Sequence, residues 1–139
     1  MTAQVEIGEK PEGVTKRRNL SEGELLALLR ERYPAPEYAF LSHVRNSTGF
    51  ARTTRTADAL AFGLWKSRGH YLTGFEIKSS RSDWLRELKD PAKADEIAGY
   101  CEMWIVVTGG PNIIRAGELP PKWGHITVDT KGALRTEKA

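Results

Sequence analysis

The sequence predicts a mixed α/β domain with helices packed on a central sheet. Three observations carry this. Leu25, Leu28, Leu29 and Tyr33 recur at helical spacing. Residues 57–65, 70–78 and 101–108 are short apolar stretches bounded by turn signals, as strands are. The resulting order of helix, three strands, helix and strand places both element types in one core. A length of 139 residues, 40% of them hydrophobic and 28% charged, fits one soluble globular domain and excludes a disordered or collagen-like chain. A single cysteine, Cys101, excludes an intramolecular disulfide and a Cys-rich zinc site. No apolar run approaches the roughly 18–20 residues of a membrane span. The first residues lack the basic-then-apolar pattern of a secretory leader, so a cytoplasmic location and no membrane partner are expected. A net charge of +3 is too mild to establish a nucleic-acid partner, so the distribution of charge must decide.

Residues 1–19 are polar, without period, and read as a flexible N-terminal arm. The domain is expected over residues 20–134, followed by a C-terminal tail at 135–139. The first helix is predicted from Ser21 to about Tyr33, with Ser21 as N-cap and Glu24 completing a capping box. Tyr33-Pro34 ends it, because a residue before proline avoids helical geometry. A strand is expected at 37–44, then a loop rich in Arg, Ser, Thr and Gly at 45–55. Residues 57–65 and 70–78, joined by a turn at 66–69, read as an antiparallel hairpin. Ser80 and Asp83 suggest a second capping box, so a helix is predicted over 82–89 with Trp84, Leu85 and Leu88 inward. Pro91 opens a further helix to Ala98, stopped by Gly99. A buried strand is expected at 101–108, a short strand at 112–115 and a last strand at 123–129.

The chemistry concentrates at the hairpin. Glu76 and Lys78 alternate with Ile77 and therefore share a face, and Asp58 lies on the neighbouring strand. Two carboxylates and an ammonium would then meet at one end of an apolar sheet. Ionised groups there must be paired or bind a metal. Carboxylates without Cys or His favour a hard cation, Mg²⁺ or Mn²⁺. A lysine beside such a cation orients or deprotonates a water, or stabilises charge on a phosphate. The acid-x-Lys triplet also occurs at Glu87-Leu88-Lys89 and Asp129-Thr130-Lys131. Only the first follows an apolar strand, has an upstream Asp on an adjacent one, and precedes a capped helix.

With Asp58, Glu76 and Lys78 in this context, residues 56–107 resemble the PD-(D/E)XK phosphodiesterase superfamily, the restriction-endonuclease-like fold. Within it, ADALAF…GFEIKSSRSDWLRELKDPAKADEI…YCEMWIVV is similar to small bacterial and phage DNA-repair nucleases of the MmcB type. The resemblance implies an αβββαβ core and metal-dependent hydrolysis of DNA phosphodiester bonds, in repair, recombination or phage DNA processing. It assigns Asp58 and Glu76 to the metal, with the Ile77 backbone carbonyl as a further ligand, and Lys78 to catalysis. Ala57 stands where the signature has proline. Many members of this superfamily have lost activity, so a silent module that docks on DNA or a protein partner is the alternative. A homodimer is expected only by analogy with nucleases that cut both strands.

The superfamily often adds an acid from the first helix. At 100° per residue, Glu22 falls about 60° from Leu25, inside the apolar sector. It is either a further metal or water ligand or a charge that stabilises the helix N-terminus. Arg45, Arg52 and Arg55 are candidate DNA contacts from the loop, and Ser79, Arg81 and Lys93 from the segments after the triplet. Ser79 is equally explained as a helix cap. Trp84, Trp104 and Trp123 read as core, Trp65 as the one tryptophan placed for stacking, and His43 as a surface residue.

Overall fold

A computed structural model describes residues 18–45 and 56–139. Six strands form one sheet in sequence order. They are β1 (Tyr38–Arg45), β2 (Thr56–Gly63), β3 (Leu72–Lys78), β4 (Met103–Thr108), β5 (Gly124–Val128) and β6 (Leu134–Lys138). β1–β2 and β2–β3 are antiparallel pairs, β4 and β5 continue parallel to β3, and β6 turns back antiparallel on β5. The fold is thus mixed α/β. The expected tail is instead the edge strand β6, and its hairpin turn is built by Asp129, whose carboxylate accepts from the Lys131 and Ala133 N–H groups.

One face of the sheet is covered by α1 (Glu22–Arg32). Ser21 and Glu24 form the predicted capping box, and Leu25 and Leu29 pack on Phe75, Ile77, Ala59 and Ala61. The opposite face carries the β3–β4 crossover, made of α2 (Arg81–Leu88), a 3₁₀ turn (Pro91–Ala94) and the single-turn α3 (Asp95–Ala98). Trp84, Ile97, Trp104, Val106, Ile113 and Trp123 form the second core there. Two parallel connections in succession need crossovers rather than hairpins, which explains why residues 112–115 are not the expected strand. They turn across this face, with Asn112 at a φ of 66° and Ile113 buried.

α2 differs from its reading at one position. Leu85 is exposed and Glu87 is buried. The buried stripe therefore runs through Trp84 and Glu87, for a reason the site makes plain.

Two close approaches fix the frame. A Cβ on Gly74 would lie 2.4 Å from the Trp104 ring, so this strand position admits only glycine without a shift. Gly109, just past β4, donates its N–H to the Lys78 carbonyl at 3.1 Å and accepts the Leu20 N–H at 2.8 Å. The N-terminus of α1 is thereby registered against the end of β3. Among the described residues no helix is long and apolar enough to cross a membrane.

Candidate metal centre

The site forms where β2 parts from β3. Their ladder ends with Ala59 opposite Phe75, and beyond it the Asp58 carboxylate takes the place of a backbone acceptor: Oδ2 receives the Ile77 N–H at 2.7 Å. The β1–β2 register passes from Ser42–Ala59 to Val44–Ala57, leaving His43 opposite Asp58 at a rung between them. At this rung the alternation of β2 inverts, because Ala59 belongs to the core under α1 and Ala57 to the core under α2. His43 has a φ of 56°, the left-handed region uncommon for side-chain-bearing residues. Asp58 therefore sits at the sheet's margin, between two groups of charged side chains.

The first group lies under α2. Glu76 and Lys78 point away from Phe75 and Ile77, as strand alternation requires. Lys78 Nζ is 3.1 Å from Glu76 Oε2 and 3.1 Å from Glu87 Oε1. Glu87 is buried because its carboxylate faces this ammonium. Burial pushes the Glu76 carboxyl up to about 7, and the nearby Asp58 charge adds to that, against the opposing pull of Lys78. Burial likewise raises Asp58, opposed by its bond from Ile77. For Lys78, burial works against the charged form, but Glu76 and Glu87 outweigh it and hold the ammonium above the ordinary lysine range. Lys78 contacts two carboxylates, and the Asp58 charge lies near enough to act on Glu76, so with all ionised negative charge exceeds positive in a partly desolvated pocket. The donor set is all oxygen, which suits a hard divalent cation.

The second group lies toward α1. Glu22, from its first turn, has Oε2 3.9 Å from His43 Nδ1. Ligand atoms of Glu22, His43 and Asp58 all fall within 4.8 Å of one another. Glu22 thus joins Asp58, as its helical angle suggested, and His43 is drawn in with it.

The other expected contacts differ in their surroundings. Arg45 is exposed at the end of β1, beside a groove of about 230 Å³ lined by Val44, Leu60, Ile97 and Tyr100. Arg52 and Arg55 lie outside the described residues. Ser79 Oγ donates to Asp83 at 3.3 Å, and Ser80 caps α2 through the Asp83 N–H. Arg81 grips Glu118 with two bonds of 2.6 Å and also donates to the Ile113 carbonyl, so its guanidinium secures α2 to the β4–β5 crossover. Lys93 is exposed on the 3₁₀ turn. Trp65 is 48% exposed, while Trp84, Trp104 and Trp123 are buried.

Three residues that the sequence reading did not place at the site shape this region. Glu87, three residues after Trp84, lies on the same helix stripe. His43, read as a surface residue, is exposed, and the β1–β2 register sets it opposite Asp58. Glu118 receives the Trp84 indole N–H and the Arg115 backbone N–H as well as Arg81. No protein-family model, curated protein or solved structure matches the chain.

Proposed function

We propose that the chain is a divalent-metal-dependent deoxyribonuclease of the restriction-endonuclease-like kind. One observation supports this most: Asp58, Glu76 and Lys78 converge where β2 and β3 separate, with more carboxylate than the single ammonium balances. In this reading Asp58 and Glu76 hold Mg²⁺, for which Mn²⁺ can substitute, and the Ile77 carbonyl is a further ligand. The cation supplies Lewis acidity toward the phosphoryl oxygen and makes a bound water more acidic.

The chain's own residues do the rest. Asp58 is fixed by the Ile77 N–H, so its carboxylate is presented from a rigid strand rather than a loop. Lys78, held as a cation between two carboxylates, donates to the charge that builds on the phosphate as the water attacks. Glu87 positions the Lys78 ammonium without touching substrate. Arg45 and Lys93, both exposed, are proposed to take phosphates flanking the cut.

The test is cleavage of labelled single-stranded, duplex and branched DNA with Mg²⁺, Mn²⁺ or EDTA. Metal-dependent cleavage is expected. Lys78→Ala, its fold checked by a thermal melt because Glu87 loses its ammonium partner, should keep DNA affinity and lower the rate by about 10²–10³. Full activity in Lys78→Ala, or no cleavage of any substrate by the parent chain, overturns the reading.

A further inference from the structure

We propose that Glu22, His43 and Asp58 form a cation site on the α1 side of the sheet, whose imidazole makes it favour Mn²⁺ over Mg²⁺. The inference shares one ligand, Asp58, with the nuclease reading and rests on it to that extent. The three residues come from a helix, an edge strand and an inner strand, so their convergence is a product of the fold rather than of local sequence. Their ligand atoms lie within 4.8 Å of one another. Octahedral ligands at right angles with bonds of about 2.1 Å stand about 3 Å apart, so small side-chain rotations close the set. Glu22 and His43 have the freedom for this, with side chains 48% and 61% exposed. That exposure also leaves room for water or a substrate oxygen in the remaining positions.

Two further features point to an ion. The left-handed backbone of His43 falls at the rung where both ladders lapse, and it sets the imidazole beside Glu22. Among the described residues, no lysine or arginine forms an ion pair with Glu22 or Asp58, while the nearest ammonium, Lys78, is held by Glu76 and Glu87. Among the described residues, the two carboxylates therefore share the His43 imidazole, while the Lys78 ammonium acts on Asp58 from a distance. Oxygen donors alone suit Mg²⁺, whereas an imidazole nitrogen shifts the preference toward first-row transition ions.

Mn²⁺ titrated into the metal-free full chain, read by continuous-wave and pulsed EPR, tests this. The matching variant is His43→Asn, since asparagine tolerates the left-handed backbone and lacks the imidazole; a thermal melt checks its fold. Mn²⁺ should bind about tenfold more tightly than Mg²⁺ and show ¹⁴N coupling, and both features should vanish in His43→Asn. Bound Mn²⁺ without ¹⁴N coupling, or an unchanged metal preference in the variant, overturns the site and leaves the nuclease reading standing. Nitrogen coupling without DNA cleavage under any metal keeps the site and removes the nuclease. No Mn²⁺ binding at millimolar concentration removes both.

Discussion

Glu76 stands against its own stability. Buried and beside Asp58, it gives up its proton only near 7, whereas in an unfolded chain it does so near 4.5. A carboxyl raised in this way contributes stability that is fully present below about 4.5 and is lost as pH rises through about 7. Glu76→Gln should therefore raise the melting temperature in EDTA at pH 8 by about 5 °C, and leave it unchanged at pH 4.5. Glu87 still holds Lys78 in that variant. The same substitution should weaken Mg²⁺ binding by calorimetry. A melting temperature that falls at pH 8 would show that the Lys78 pair outweighs burial. At this scale much was legible in the sequence. Strand alternation put Glu76 beside Lys78, and helical angle turned Glu22 toward Asp58, although its side chain is exposed. His43 was not legible, because the left-handed turn that brings it in leaves no mark on hydrophobic period.

Among elements, α2 shows how a helix is chosen by its neighbours. Trp84, Leu85 and Leu88 gave a plausible apolar face, yet Leu85 is exposed and Glu87 is inside. An ammonium on the adjacent strand needs a second carboxylate more than the core needs another leucine. The far side of α2 is secured by Glu118, whose carboxyl is held down to about 2, chiefly by its bonds from Arg81 and then by the Arg115 N–H. A carboxyl lowered in this way stabilises the fold above about 4.5 and ceases to as pH falls through about 2. The melting temperature of Glu118→Gln should lie below that of the parent at pH 6, with the gap closing toward pH 2. A constant gap across a melt series from pH 7 to pH 2 would mean that the fork acts through shape, not charge. The edge strand β6 escaped the sequence reading because Leu134 is its only apolar residue, and an exposed edge needs no alternation. The absent strand at 112–115 failed for the opposite reason, since its two isoleucines face a crossover core instead of a ladder.

For the whole molecule, a net charge of +3 says little, but its placement says more. Carboxylates gather at the margin of β2 and β3, while Arg45 and Lys93 stand exposed. If these two neutralise phosphates, replacing both with alanine should flatten the dependence of log K on log salt for duplex DNA by about 2, without changing metal affinity. An unchanged slope in fluorescence anisotropy titrations would place the phosphate contacts elsewhere. The architecture was readable through the order of its elements, because each apolar run had a period of its own. The two-sided arrangement around Asp58 was not, because it depends on where two ladders end.

Gly109 carries a practical consequence. It ties Leu20 to Lys78 through one residue, so the start of α1 is fixed beside the charged margin. β6 runs antiparallel to β5 and ends at its start, with Lys138 opposite His125, so the C-terminus leaves from the far rim. A purification handle or fluorophore joined beyond β6 therefore stands on the rim away from that charged margin.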